Sequence, residues 1–196
     1  MCGRYYIQAD ENMGRELRAI LAEVERRQGN SEAHAAMKVG EIFPSNIVPV
    51  IGAEGASLMK WGYSGYKNRV INARSETAFE KPMFRRSMME RRCLIPASGY
   101  YEWRRTPSGG KSKQKYALYR PGRPIYMAGL WRMEQGEDLP VFVILTREAG
   151  PGIAEIHDRM PVILPEGAWE AWTAPQADAG RLMEQAVREM AFRMAE

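Results

Sequence analysis

The stretch Cys93-Leu94-Ile95-Pro96-Ala97-Ser98-Gly99-Tyr100-Tyr101-Glu102-Trp103 decides the fold that the sequence predicts. Its two short apolar runs, Cys93 to Pro96 and Tyr100 to Trp103, have the length of β-strands and are too short for helices. The turn-forming pair Ser98-Gly99 stands between them. Two successive short strands are therefore predicted here.

The same pattern recurs along the chain. Gly52 to Gly55 predicts a hairpin turn, and further short strands are predicted at Cys2 to Gln8, Ile47 to Ile51, Leu58 to Trp61, Val70-Ile71, Tyr116 to Tyr119, Ile125 to Trp131 and Val141 to Thr146. Helical spacing of apolar residues predicts helices over about 10–28, with Asp10 as N-cap, over 166–173 and over 178–195.

Many strands with helices at both ends predict an α+β fold. We expect a single domain built on a curved, mostly antiparallel, barrel-like sheet with flanking helices. The motifs described below end near Trp172. We therefore expect a domain over 1–172 and a helical C-terminal extension, 173–196, packed on it.

Composition restricts the classes of protein that fit. The chain has 196 residues, no apolar run near the roughly 18 residues of a membrane span, and no basic-then-apolar leader, so a cytoplasmic protein without a membrane partner is expected. Its two cysteines form no disulfide framework. Its two histidines occur without metal-binding spacing. We expect no metal and no cofactor.

The charge is distributed unevenly. From Lys60 to Arg132 there are 17 Lys and Arg residues against 4 acidic residues, although the formal net charge of the whole chain is only +4. Such a basic centre between acidic ends favours one face that binds a polyanion. A solvated surface of scattered basic residues is the alternative.

Cys2 follows the initiator Met1 directly. A small second residue permits removal of Met1, which would leave an N-terminal cysteine with an amine and a thiol on adjacent carbons. Such an aminothiol condenses with an aldehyde to an imine, and the thiol then closes a thiazolidine ring. Burial as an ordinary small apolar residue is the alternative for Cys2.

Three further polar residues are candidates for proton transfer or positioning. Asn72 follows a short strand, Glu102 lies among aromatic residues that raise a carboxyl pKa, and His157 is a candidate general acid. Each has a structural alternative: a turn cap for Asn72, an ion pair with Arg104 or Arg74 for Glu102, and a capping or core role for His157.

Six motifs occur together and in order. They are M-C-G-R-Y at the start, W-G at Trp61-Gly62, I-N-A-R-S-E-T from Ile71, C-L-I-P-A-S-G-Y-Y-E-W from Cys93, M-A-G-L-W from Met127 and H-D-R-M-P from His157. The chain thereby resembles the SOS-response-associated peptidase (SRAP) family, the abasic-site processing proteins that crosslink to single-stranded DNA.

The resemblance implies a function and a site. The matching cysteine, Cys2, would attack the ring-opened aldehyde of an abasic site and form a stable thiazolidine, with Asn72, Glu102 and His157 as the polar members of the active site. It also implies a groove for single-stranded DNA, with Arg4, Trp61, Arg74 and Arg159 contacting DNA or lining the pocket. Arg85 and Arg86 are further candidates for phosphate contacts, and a core position is the alternative for Trp61.

One position departs from the family pattern. Many members read Y-N-x-x-P where this chain has Gly40-Glu41-Ile42-Phe43-Pro44, and Glu41 would repel a phosphate. We expect a monomer without an obligate protein partner.

Three other functions are alternatives. A glutamine amidotransferase or a self-processing thiol peptidase would use the Cys2 thiol. A non-catalytic protein that binds single-stranded DNA would use only the basic block.

Overall fold

Two mostly antiparallel β-sheets form the centre of the molecule, in a computed structural model that describes residues 2–8, 14–105 and 113–196. Met1 and the predicted N-cap Asp10 lie outside those residues. The architecture confirms the predicted single-domain α+β fold with a curved sheet.

The first sheet has five antiparallel strands. In spatial order they are β12 (Ala191–Met194), β8 (Lys113–Tyr119), β7 (Gly99–Arg105), β1 (Arg4–Ile7) and β2 (Gly40–Ile42). Side chains alternate along β1: Tyr5 and Ile7 are buried, whereas Arg4 and Tyr6 are half-buried on the opposite face. This sheet therefore has an inner face on the core and an outer face toward solvent.

The second sheet closes on itself. Its strands are β3 (Ile47–Gly52), β4 (Gly55–Trp61), β5 (Asn72–Arg74), β6 (Arg92–Ala97), β9 (Ile125–Arg132), β10 (Val141–Glu148) and β11 (Arg159–Pro161). Strand β9 pairs with both β6 and β10, and β10 pairs with β4, so that β4, β3, β6, β9 and β10 form a ring. Strand β5 adds to β10 in parallel.

The run quoted at the start joins the two sheets. Strand β6 belongs to the ring and β7 to the five-stranded sheet, with only Ser98 between them. The largest core cluster fills the space where the two sheets meet, and it includes Tyr5, Tyr100, Trp61 and Phe142.

The helices are short and peripheral. They are α1 (Arg15–Gln28), α2 (Glu32–Ala35), α3 (Pro82–Glu90), α4 (Trp169–Thr173), preceded by a 3-10 turn at Glu166–Ala168, and α5 (Ala179–Glu184). None of the helices in the described ranges combines the length and the apolar character needed to cross a lipid bilayer.

The predicted C-terminal helix over 178–195 is wrong in its second half. Helix α5 ends at Glu184, the Val187 N–H donates to the Ile163 carbonyl at 2.8 Å, and Ala191–Met194 pairs with β8. Backbone pairing with an available sheet edge takes the place of helix there. Whether the domain divides at residue 172 stays a prediction.

Two smaller differences concern local boundaries. The strand predicted at Val70-Ile71 begins instead at Asn72, because Val70 forms only an isolated bridge with Tyr63. Helix α3 was not predicted, although Pro82 at its start and buried Phe84 and Met88 have helical spacing.

Candidate active site

Cys2 lies directly before β1, with its side chain fully buried in the core cluster. Its Sγ donates to the Arg4 carbonyl at 3.6 Å. Burial, reinforced by the nearby Glu102 carboxylate, raises the pKa of the thiol well above its ordinary value. The thiol in this structure is therefore protonated and inaccessible, in contrast to the exposed aminothiol that the sequence led us to expect.

Asn72 contacts Cys2 directly. Its Nδ2 donates to the Cys2 carbonyl oxygen at 2.9 Å. Pairing of β5 with β10, which puts Asn72 beside Ile144, fixes the position of this side chain. Asn72 is thus a strand residue that holds the N-terminal segment, and not a turn cap.

Glu102 and His157 face each other. Glu102 is only 3% exposed, and its Oε2 lies 3.9 Å from His157 Nε2. Burial raises the pKa of the Glu102 carboxyl, and the positive charge that His157 can carry opposes that shift. The two groups form an acid–base pair beside the buried thiol.

The hydrogen-bond neighbours of His157 indicate which ring nitrogen carries the proton when the ring is neutral. The Arg159 backbone N–H donates to Nδ1 at 3.0 Å, which puts the ring proton on Nε2, toward Glu102. Asp158 Oδ1 also lies 2.9 Å from Nδ1. One nitrogen cannot accept and donate at once, and because Asp158 is 86% exposed, we take the backbone contact as the one that fixes the tautomer.

Two tyrosines that the sequence analysis did not single out lie beside the Cys2 thiol. Tyr5 and Tyr100 stand opposite each other on β1 and β7, and both are fully buried. Burial first, and the proximity of Cys2 second, raise the pKa of both phenols. Neither hydroxyl has a hydrogen-bond partner among the described residues, and the same holds for Asn72 Oδ1. Their signal in the sequence is their position in the motifs that contain Cys2 and Glu102.

Arg4 lies on the outer face of β1. Its Nη1 contacts Glu41 Oε1 at 3.0 Å, and its guanidinium lies 3.7 Å from the centre of the Phe43 ring. Lys115 Nζ lies 3.4 Å from the same Glu41 oxygen. Glu41, the residue that departs from the family pattern and that we expected to repel a phosphate, is thus paired with two cations.

Arg159 is held by a second acid. Its guanidinium makes two hydrogen bonds to Glu76, at 2.7 and 2.8 Å, and one to the Thr146 carbonyl at 2.8 Å. These bonds lower the pKa of the Glu76 carboxyl to about 2. Arg74, two residues after Asn72 on β5, is exposed on the same side of that strand.

Three of the predicted DNA-binding residues lie differently. The side chain of Trp61 is fully buried, and its Nε1 donates to the Ile71 carbonyl at 3.0 Å. The ring therefore lies in the core in this structure, where a base has no access to it, and a DNA contact of Trp61 stays a prediction. Arg85 and Arg86 are exposed on α3, where Arg86 pairs with Glu90, and no described hydrogen bond or ion pair connects them to the residues around Cys2.

The arrangement brings together four residues that are distant in sequence. Cys2, Asn72, Glu102 and His157 supply a thiol, an amide that fixes its backbone, and an acid–base pair. Together they are equipped for nucleophilic chemistry on a carbonyl carbon, with proton transfer in a desolvated site.

Comparisons with known proteins show which proteins this chain is similar to. The abasic site processing protein YoaM of Bacillus subtilis is 42% identical over 115 residues, which cover 57% of this chain and 49% of that protein. The abasic site processing protein YedK of Escherichia coli is 38% identical over 118 residues, which cover 57% and 52%. The chain thus matches about half the length of these curated relatives.

A solved structure and a family model extend the match. The crystal structure of a protein from Bacteroides thetaiotaomicron, 22% identical, has a TM-score of 0.76 and covers 100% of this chain and 92% of its own, so it has the same fold. The family model described as SOS response associated peptidase (SRAP) matches residues 1–195. Because that match takes in both sheets and every residue of the site, the chain belongs to the SOS response associated peptidase (SRAP) family.

Proposed function

We propose that this protein recognises abasic sites in single-stranded DNA and becomes covalently joined to them through Cys2 after removal of Met1. The adduct shields the lesion from strand cleavage during replication-coupled repair, in the cytoplasm and at the nucleoid. The contact between Asn72 and the Cys2 carbonyl carries the proposal, because it fixes the potential nucleophile beside Glu102 and His157. The names of YoaM and YedK support it.

The chemistry proceeds by condensation and ring closure. His157 donates a proton to the ring oxygen of the sugar as the bond from that oxygen to C1′ breaks, and the C1′ hydroxyl loses its proton to solvent, which gives the aldehyde. The Cys2 amine adds to C1′ and gives a carbinolamine, and loss of water with Glu102 relaying the proton gives the imine. The thiol then adds across the C=N bond: sulfur bonds to C1′, and the thiol proton ends on nitrogen. One water is released, and positioned acid–base groups contribute typically about 10²–10⁴-fold to such steps.

The buried thiol needs an opening step. Cys2 precedes β1, is buried in the core cluster, and accepts a hydrogen bond from Asn72 at its carbonyl oxygen. We propose that DNA binding moves residues 2 and 3 enough to expose the aminothiol to C1′. Before this movement, burial beside Tyr5 and Tyr100 keeps the thiol neutral.

The DNA strand contacts the arginines around this site. Arg4, Arg74 and Arg159 contribute phosphate contacts, and Arg4 and Arg159 exchange Glu41 and Glu76 for phosphate oxygens. Each contact adds about −0.7 to the slope of log affinity against log salt on a single strand. We propose that the protein acts as a monomer without an obligate protein partner.

Mass spectrometry tests the proposal. The processed protein is mixed with a uracil-containing oligonucleotide, with and without uracil-DNA glycosylase, and an adduct that has lost one water is expected only after glycosylase treatment. An unmodified protein in both samples would contradict the proposal. Cleavage of Met1 by purified protein alone would favour a self-processing thiol peptidase instead.

A further inference from the structure

A cavity of about 330 Å³ lies at the far end of β1 from Cys2. It is lined by the end of β1, the turn between β8 and β9, and the C-terminal strand β12. Its polar lining consists chiefly of Tyr6, Ser98, Tyr119, Arg120, Arg123 and Arg193. Three arginines line the cavity, and no acidic residue from the described ranges is among its lining residues.

The three arginines also lack acidic partners elsewhere. None of them makes an ion pair with a carboxylate in residues 2–8, 14–105 or 113–196. Arg193 instead lies 5.5 Å from the centre of the Tyr119 ring, a cation–π distance. Elsewhere on this protein Arg4, Arg132 and Arg159 each pair with a glutamate. Among the described residues, the three arginines at the cavity are therefore not paired with a carboxylate.

Strand pairing and a tight turn set the backbone positions of the residues around the cavity. Arg120 and Arg123 form an isolated bridge across a tight turn in which Gly122 has a φ of +72°. Arg193 stands opposite Ala117 in the pairing of β12 with β8. Ser98 Oγ accepts from the Gln8 backbone N–H at 2.9 Å, which leaves its own O–H for another acceptor. Guanidinium and hydroxyl donors around one cavity match the oxygens of a phosphate group.

The cavity is on the same side of the sheet as Arg4. Arg4, Tyr6 and Gln8 alternate with buried residues along the chain, so they point to one face. The four residue-to-residue steps of extended chain from Arg4 to Gln8 span about 13 Å. A DNA strand bound at Arg4 would therefore reach the cavity within a few nucleotides.

We infer that this cavity binds a phosphodiester group of the DNA strand that flanks the abasic site. The inference rests on the proposed function, and it extends the DNA-binding surface beyond the residues around Cys2. It also gives the last strand, β12, a role in binding through Arg193.

The test is the salt dependence of binding by Arg123→Gln/Arg193→Gln, with Arg26→Gln, an exposed arginine on α1, as the control. Fluorescence anisotropy is measured with oligonucleotides that extend from the lesion on the 5′ side only, on the 3′ side only, or on neither side. For one of the two extended substrates, the slope of log affinity against log salt should become less negative by about 1.4, or about 0.7 for each lost contact. The shortest substrate and the control variant should show the wild-type slope.

Two results would overturn the inference. One is a wild-type slope for the double variant on both extended substrates. The other is saturable binding of inorganic phosphate to the wild-type cavity, abolished in the double variant, while the DNA slopes stay unchanged, because the cavity would then bind the free ion only.

A separate measurement, the yield of covalent adduct, tests the proposed function. The yield of covalent adduct at saturating DNA should be the same in the double variant and the wild type. If neither protein forms an adduct, the crosslinking chemistry fails, whereas the slopes measured on an undamaged strand still decide whether the cavity binds a phosphodiester.

Discussion

The Asn72 side chain donates to the Cys2 carbonyl oxygen at 2.9 Å, although 70 residues separate the two in sequence. This bond connects the start of the five-stranded sheet to strand β5 of the other sheet. It therefore couples the position of the proposed nucleophile to the packing of the two sheets against each other.

Asn72→Ala should weaken both the fold and the reaction. The change leaves the Cys2 carbonyl without its donor, which typically costs about 1–3 kcal/mol. We expect a lower denaturant midpoint and an adduct rate reduced about tenfold or more, equivalent to at least 1.36 kcal/mol in the barrier. Chemical unfolding and quenched-gel kinetics measure the two effects. Asn30→Ala, at an exposed position after α1, should change neither. If Asn72→Ala formed the adduct at the wild-type rate, Asn72 would not contribute to the reaction.

Cys2→Ala should abolish the heat-stable adduct and leave DNA affinity within about twofold, because the phosphate contacts come from arginines. Cys93→Ala is the matched control, since Cys93 is the other buried thiol and burial raises its pKa as well. That variant should keep the adduct. Denaturing gels and anisotropy read the two properties. If Cys2→Ala still crosslinks, another nucleophile carries the reaction.

Glu102→Gln should change how stability depends on pH. The folded-state pKa of Glu102 is raised above its ordinary value of 4.5, so the folded protein holds a proton that the unfolded chain releases. Stability from this group is complete below pH 4.5 and is lost as pH rises through the folded-state pKa. Glu102→Gln should therefore gain stability relative to the wild type between pH 4.5 and 7, measured by urea unfolding across that range. Parallel curves for the two proteins would contradict the raised pKa.

Glu76→Gln should have the opposite effect. The Arg159 hydrogen bonds lower the pKa of Glu76 from 4.5 to about 2, so the folded protein releases this proton more readily than the unfolded chain. Its contribution is complete above pH 4.5 and is lost as pH falls toward 2. Glu76→Gln should be the less stable protein at pH 6 and should converge with the wild type near pH 2. A constant difference across that range would show that the bond does not depend on the charge of Glu76.

Glu41→Gln should strengthen binding to single-stranded DNA. The change removes the acid that pairs with Arg4 and Lys115, and it frees both cations for phosphate oxygens. We expect tighter binding and a salt slope more negative by about 0.7 for each cation that gains a phosphate contact. Anisotropy titrations over a range of salt concentrations measure both, with Glu54→Gln at an exposed turn as the control. Unchanged affinity would place the strand away from Arg4.

The fold was predictable where apolar runs and turn residues agree. Strands β3, β4, β6, β7 and β9 follow such runs closely. The C-terminal helix was predicted wrongly because the apolar stripe containing Ala186 fits a helix equally well, and only the bond from Val187 to Ile163 and the pairing with β8 show that the chain returns to a sheet. Such long-range partners are not encoded in local spacing.

The site was predictable in its members but not in its contacts. No local pattern connects Cys2, Asn72, Glu102 and His157, and only the family motifs grouped them. Burial of Trp61 and of the Cys2 thiol arises from packing between the two sheets, which periodicity does not reveal. The pairing of Arg159 with Glu76 likewise depends on how the chain segments meet in the fold.

The indole of Trp61 bonds to the carbonyl of Ile71, the residue immediately before Asn72. Its influence on any reaction at Cys2 is consequently mechanical, transmitted along one peptide unit to the amide that restrains the N-terminal segment. If a Trp61 variant crosslinks poorly, the cause can thus be a shifted Asn72, and the result would not prove that a contact with a base is lost.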